Sequence, residues 1–139
     1  GSSAYVRLLT GSTTVSSSSD ERIKKDIENL TYGLSFINRL RPVNYKLKLN
    51  SELPDPWKDK DIEDYDQGWM NGFIAQEVKA ALDAESIPAE KVELWSEDAD
   101  NGGLQSLGEA ALIPMLVKAL QEADDKIDAL TARVATLEG

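Results

Sequence analysis

The chain has 139 residues, 41% of them hydrophobic, and a formal net charge of −10, with neither cysteine nor histidine. A chain of this size holds one modest core, and its negative charge disfavours nucleic acid as a partner. The missing residue types exclude disulfides, thiolate nucleophiles, Ser-His-Asp triads and the common zinc sites, so enzymatic chemistry must use carboxylates, hydroxyls or lysine amines. No stretch has the length and apolar character of a membrane span, so we expect no membrane partner.

Short strands separated by turns are predicted along most of the chain. The first two are β-prone and flank a turn, which suggests the end of a β structure. The third alternates apolar and polar residues, as a half-buried strand does. The predicted strands are residues 4–9, 13–16, 43–49, 69–75 and 92–96, with a turn at residues 10–12 and a break at residues 101–103.

A helix is predicted over residues 20–40, because apolar residues recur there at spacings of three and four. Gly33 weakens its middle, and Pro42 ends it. Ser18 followed by Glu21 fits a capping box, so Ser18 would cap the helix. A second, short helix is predicted over residues 76–82. The apolar positions of the first helix are Ile23, Ile27, Leu30, Leu34 and Ile37.

Residues 50–66 form an acidic loop that contains prolines. Its acids lack the glycine and the terminal glutamate of a calcium loop, so we interpret them as solvated and expect no metal. Trp57 either anchors this loop or contacts a partner, whereas the apolar side chains that follow are expected in the core. Those side chains are Trp69, Phe73 and Ile74; the acids are Asp55, Asp59, Asp61, Glu63, Asp64 and Asp66.

The last third of the chain, residues 106–139, predicts a long coiled-coil helix. Apolar residues alternate steps of three and four, which is the seam of a heptad repeat and requires a partner helix. The pattern leaves dimer and trimer open, because Val117 widens a face that otherwise suits a dimer. Pro114 lies either in the first turn or, if Ser106 caps the helix, at a kink. The seam is Ile113, Leu116, Leu120, Ala123, Ile127, Leu130, Val134 and Leu137.

Ser19 and Lys24 are the candidate reactive pair. A serine at the start of a helix lies near free backbone N–H groups, which can also stabilise an oxyanion. Without histidine, the only base of suitable strength is a lysine that has lost its proton. A solvated lysine has a pKa of about 10.4, so this role requires burial or neighbouring cations such as Arg22 and Lys25. Before any resemblance is considered, the residues alone favour the other interpretation, in which the serines end as a purely structural cap.

Four separated motifs occur in one order: SDERIKKDI at residues 19–27, LRPVNYKL at 40–47, GFIAQEV at 72–78 and LIPMLVKALQE at 112–122. Together they resemble the self-cleaving C-terminal intramolecular chaperone domains of phage tail spikes, tail fibres and neck appendages, of which the endosialidase chaperone is the best-known type. A single S-D-x-R-x-K motif is not specific, whereas four motifs in this order are.

The resemblance implies that Ser19 is the nucleophile and Lys24 its partner, with the cut between Ser18 and Ser19 and positioning roles for Asp20 and Arg22. Residues 1–18 would be the end of the mature spike or fibre, and residues 19–139 the released chaperone. It also implies an α+β fold in which a small mixed body of short strands and helices is followed by the coiled-coil helix, in a homotrimer.

The same resemblance implies the partners of the chain and its cellular location. The partner would be the upstream spike or fibre domain, reached by the loop at 50–66, and no cofactor is expected. Cleavage would occur in the host bacterial cytoplasm during virion assembly. Whether Lys24 serves its own chain or a neighbour stays open at this point. Two alternatives remain: a non-enzymatic trimerisation cap, and the same self-cleaving module in a membrane-tethered transcription factor.

Overall fold

Three separate antiparallel ribbons of two strands each contain all the strands that the computed structural model describes, over residues 7–8, 15–16, 18–58 and 68–139. The pairs are β1 (Arg7–Leu8) with β2 (Val15–Ser16), β3 (Val43–Tyr45) with β4 (Met70–Gly72), and β5 (Trp95–Asp98) with β6 (Leu104–Leu107). Five of the six strands lie in or overlap segments that the sequence predicted as strands, whereas β6 was not predicted.

Every predicted strand contains or overlaps an observed one, but the observed strands are shorter. The predicted turn at residues 10–12 lies outside the described residues. The break at residues 101–103 is confirmed, because Gly102 and Gly103 both have positive φ and close the β5–β6 hairpin. Ser106 lies in β6 and therefore does not cap the C-terminal helix. The alternative in which Ser106 caps the helix and Pro114 lies at a kink is therefore wrong.

Four α-helices and four short 3-10 turns complete the described part of the chain. The predicted helix at 76–82 is confirmed and is three residues longer. The helices are α1 (Leu34–Ile37), α2 (Ala75–Ala84), α3 (Ala89–Val92) and α4 (Leu112–Glu138), and the 3-10 turns are Glu21–Ile23, Asn50–Glu52, Ala99–Asn101 and Glu109–Ala111.

The helix predicted over residues 20–40 is wrong for most of its length. After the 3-10 turn Glu21–Ile23, Lys24 has extended backbone angles, and Asp26 takes the left-handed conformation at φ 53°. Ile23 and Ile27 are each 66% exposed, so the apolar spacing that predicted a helix meets no core in this chain. A short amphipathic segment without tertiary burial has little to stabilise a helix.

The core lies between α1, α2, the segment that joins α3 to β5, and the first turns of α4. Phe36 and Leu82 at its centre are fully buried. Phe73 packs against its edge, whereas Trp69 is 71% exposed and Ile74 is also exposed. The prediction that Trp69 and Ile74 fill the core is therefore wrong; Lys46 Nζ lies 5.7 Å from the Trp69 ring centroid. The core residues are Phe36, Val78, Ala81, Leu82, Ile87, Leu94, Leu112 and Met115.

Trp57 anchors the loop that precedes the undescribed stretch. Its Nε1 donates a hydrogen bond of 3.0 Å to the carbonyl oxygen of Asn101, in the turn between β5 and β6. This confirms the anchoring alternative for Trp57. Of the six acids named above for this loop, Asp55 lies within the described residues; Asp59, Asp61, Glu63, Asp64 and Asp66 lie outside them.

α1 lies very close to α4, and Gly33 makes this possible. A Cβ at Gly33 would lie 2.7 Å from Lys118 Cγ and 2.9 Å from the backbone nitrogen of Ala119. Beside this contact, the Glu122 carboxylate accepts a hydrogen bond of 2.8 Å from the backbone N–H of Leu34. A carboxylate at a helix N-terminus satisfies a free N–H group and interacts favourably with the helix dipole.

α4 has two apolar faces. Leu112, Met115 and Ala119 are buried against the body, while the predicted heptad seam faces away from it. Along that seam, Leu120 is 72% exposed and the large residues on either side are exposed as well. Pro114 occupies the first turn of α4, where its missing N–H costs no helical hydrogen bond. Within the described ranges, every helix falls short of the length or apolar character needed to cross a bilayer.

We expect Gly33→Ala to lower the free energy of unfolding by about 1–3 kcal/mol, the usual cost of overpacking a tight contact. Chemical denaturation followed by circular dichroism measures this. Adding Lys118→Ala should not restore stability, because the backbone nitrogen of Ala119 still obstructs the new Cβ. Gln121→Ala, on an exposed position of the same helix, is the control and should change stability by less than about 0.5 kcal/mol. Unchanged stability of Gly33→Ala would contradict the close contact.

Candidate active site

Ser19 and Lys24 are in direct contact within one chain. The 3-10 turn Glu21–Ile23 folds the backbone back on itself, and its closing hydrogen bond runs from the Lys24 N–H to the Glu21 carbonyl oxygen. The lysine side chain then reaches back over the turn, and its Nζ lies 2.6 Å from Ser19 Oγ. A full helix would have pointed residues five apart in different directions. The short turn that replaces it brings the two groups together.

Asp20, and not Ser18, caps this turn. One oxygen of its carboxylate, Oδ1, accepts hydrogen bonds of 2.9 Å from both the backbone N–H and the Nε of Arg22. The other, Oδ2, lies 2.6 Å from the terminal guanidinium nitrogen of Arg22. These hydrogen bonds hold the pKa of Asp20 below its usual value and raise the pKa of Arg22. Both predicted positioning residues are thus part of the turn.

The pair is exposed to solvent in the single chain. Every residue from 18 to 29 is exposed, and no element of the core covers the turn. In the ammonium form, Lys24 donates its hydrogen bond to Ser19 Oγ; after losing a proton, the same nitrogen can accept the hydroxyl proton. The arrangement therefore has the components for an intrachain serine nucleophile with a lysine base, and water still surrounds them.

Two further features bear on ligands. Among the residues that the structure describes, no group of three or more acidic side chains is arranged to hold a metal ion. An open cleft of about 560 Å³ lies between the β3–β4 ribbon, the start of α2 and β6, lined in part by Tyr45, Asn71 and Gln105. Neither Ser19 nor Lys24 lines this cleft, so it is separate from the reactive pair.

Two residues have roles in the contact between α1 and α4 that the sequence did not predict. Gly33 was interpreted as a weak point of a helix, but it permits the contact between α1 and α4. Glu122 lies 88 positions from the backbone N–H that it caps, and no local pattern indicates such a pairing. The glycine before the short apolar segment at residues 34–37 was the available sign in the sequence that a helix could approach closely there.

Comparison with known families gives one match. A model of a peptidase family, described as chaperone of endosialidase, matches residues 19–87. The match begins at Ser19 and contains three of the four motifs, ending before α4. This confirms the resemblance that the motifs indicated. No curated protein matches the chain.

We expect the Asp20 carboxyl group to titrate below the ordinary aspartate value of about 3.9, and its midpoint to rise in Arg22→Gln. Because the folded pKa is the lower one, the turn is stabilised above the unfolded pKa and loses this contribution as pH falls through the folded value. Carbon-13 NMR of the Asp20 carboxyl measures both midpoints. Arg41→Gln, which removes another exposed ion pair, is the control; an unshifted midpoint in Arg22→Gln would contradict the contact.

Proposed function

Residues 19–87 belong to the family of endosialidase chaperones, and on that premise we propose that the chain is an intramolecular chaperone that releases itself by cutting the Ser18–Ser19 peptide bond. The observation that carries this proposal is the 2.6 Å contact between Lys24 Nζ and Ser19 Oγ. The family match supports it as well, because it begins at the residue that would become the new N-terminus. Residues 1–18 are then the end of a spike or fibre body.

In the proposed reaction, the neutral amine of Lys24 takes the hydroxyl proton of Ser19, and Oγ attacks the carbonyl carbon of Ser18. The bond between that carbon and the Ser19 nitrogen breaks, and the nitrogen takes up a proton to become a free α-amine. An ester links the Ser18 acyl group to Ser19 Oγ. Water hydrolyses this ester to give the Ser18 carboxylate and restores the hydroxyl, so each chain reacts once.

Assembly is the proposed trigger. Burial disfavours the charged form of a lysine, and a hydrated ammonium is a poor base near neutral pH. Since residues 18–29 are exposed in the single chain, the missing desolvation must come from neighbouring copies. Cleavage would therefore report that the chains have associated.

The α4 seam is the proposed assembly surface. Seven large apolar residues of the seam and Val117 beside it are left exposed by the fold, and together they form a continuous stripe that a helix of another copy can cover. We propose a parallel homotrimer, in which Val117 widens the stripe beyond what two helices bury. The upstream spike or fibre domain is the client, and the host bacterial cytoplasm is the proposed place of assembly.

Cleavage of the chain is the direct test of the proposed function. Mass spectrometry of the freshly folded chain should show two products, residues 1–18 and 19–139. Ser19→Ala should abolish cleavage because the nucleophile is lost, and Lys24→Ala should slow it about 10²–10⁴-fold, the usual effect of losing a general base. Ser18→Ala and Lys25→Ala, which change the neighbouring hydroxyl and amine, are matched controls and should still be cleaved.

Mixing the two inactive variants distinguishes action within a chain from action between chains. The 2.6 Å contact joins groups of one chain, so co-folded Ser19→Ala and Lys24→Ala chains should stay intact. Cleavage of the Lys24→Ala chains in this mixture would place the lysine on a neighbour. If the wild-type chains assemble but stay full-length, self-cleavage is refuted, and the alternative of a trimerisation cap without enzymatic activity is supported.

Assembly can be tested on the seam. Leu120→Asp should give a monomer in analytical ultracentrifugation and slow cleavage at least tenfold, because a buried carboxylate in the seam is costly. Leu120 is exposed in the single chain, so the body should keep its circular dichroism spectrum. Ala129→Asp places the same charge on an exposed position off the seam and should leave both assembly and cleavage intact. A cleaving Leu120→Asp monomer would refute assembly as the trigger.

A further inference from the structure

Lys24 is a lysine with acids nearby and no acid partner. Asp20, Glu21 and Asp26 lie within four residues of it, yet over the described part of the chain its side chain forms one hydrogen bond, to Ser19, and no ion pair. Lys79 and Asp83, four residues apart on α2, form an ion pair at 2.6 Å, because residues at this spacing face each other on an α-helix. Asp20 and Lys24 span a 3-10 turn instead, and the Asp20 carboxylate has another partner there.

Arg22 provides the explanation. Its backbone N–H and guanidinium together engage both carboxylate oxygens of Asp20, at 2.6–2.9 Å. Lys24 Nζ meanwhile contacts Ser19, the residue next to Asp20, so Asp20 is the acid adjacent in sequence to the partner of the lysine. The planar guanidinium can bind both oxygens of a carboxylate at once, which an ammonium cannot do.

We propose that Arg22 is a positioning residue that holds the Asp20 carboxylate away from Lys24, so that the lysine amine keeps Ser19 as its partner and can give up its proton. The inference rests on the proposed self-cleavage and specifies how its base is kept available. In the described structure, the hydrogen bonds of the Arg22 side chain go to Asp20, so its proposed effect on Lys24 passes through Asp20.

The electrostatics favour this role. A carboxylate beside a lysine stabilises the ammonium form and so withholds the neutral amine that the reaction needs. The charged side chains of Glu21, Lys25 and Asp26 are exposed to water and form no ion pair or hydrogen bond with the Lys24 amine in the described structure, so their charges are largely screened. Asp20 is the acid next to the reactive serine, and Arg22 neutralises it.

The pH dependence of cleavage tests the proposal. The wild-type rate should rise with pH through a midpoint at which the lysine base loses its proton. Arg22→Gln should move this midpoint up by about 0.3–0.7 pH units and slow cleavage two- to fivefold below it, the factor that an exposed ion pair supplies. Adding Asp20→Asn should return the midpoint to the wild-type value, because asparagine still caps the turn but carries no charge.

Three comparisons make the result decisive. Arg22→Lys should shift the midpoint in the same direction as Arg22→Gln, since a point charge does not occupy both oxygens; a wild-type midpoint would overturn the proposed geometry. If the pH midpoint of cleavage shifts equally in Arg22→Gln and in Arg22→Gln with Asp20→Asn, the proposed role of Asp20 is overturned. Arg41→Gln, which removes an exposed arginine–glutamate pair elsewhere, should leave the midpoint unchanged, and a shift there would also overturn the proposal.

A measurement without cleavage separates this inference from the proposed function. In the uncleavable Ser19→Ala chain, the Lys24 ε-carbon can be titrated by NMR with each Arg22 and Asp20 variant added. The proposal requires the Lys24 midpoint to be higher in the Ser19→Ala chain that also carries Arg22→Gln than in the Ser19→Ala chain alone. Adding Asp20→Asn should reverse this rise, and equal midpoints in all three chains overturn the proposal. If the wild-type chain never cleaves, the proposed function fails, and this titration still decides whether Arg22 shields Lys24.

Discussion

The close contact between α1 and α4 organises the rest of this molecule. Gly33 lies against the backbone of α4, and Glu122 caps α1 from one turn further along. On the same side as this contact, α4 buries Leu112, Met115 and Ala119 against the body, and its heptad seam is turned outward. The contact without a Cβ therefore belongs to the apolar face that closes the core, while the other apolar face stays exposed in the single chain.

The reactive turn shows the opposite kind of organisation. Ser19, Asp20, Arg22 and Lys24 are arranged by hydrogen bonds within six residues of sequence, with no burial to support them. Exposed local hydrogen bonds open easily, so such a turn is formed and yet readily rearranged. Under the proposed function, this turn holds its groups in contact in the single chain but lacks the dry surroundings that make a lysine an effective base.

The sequence succeeded where chemistry and order along the chain were enough. The four motifs indicated the family, and the absence of histidine made Ser19 and Lys24 a natural pair. The predictions from sequence were wrong where burial was inferred from apolar residues or from their spacing alone. Ile23 and Ile27 have helical spacing but no core to meet, and Trp69 lies on the solvent side of its ribbon. An apolar residue alone does not reveal whether its partner lies in the same chain.

Composition and local repeats were enough to establish the residue types available for chemistry, the long C-terminal helix and the apolar stripe along it. The folded structure adds that a 3-10 turn capped by Asp20 joins Lys24 to Ser19, and that α4 turns its seam outward. The turn is formed by local hydrogen bonds that the apolar spacing does not reveal, and the orientation of α4 goes with packing between residues more than 80 positions apart. Neither is encoded in the spacing of neighbouring residues.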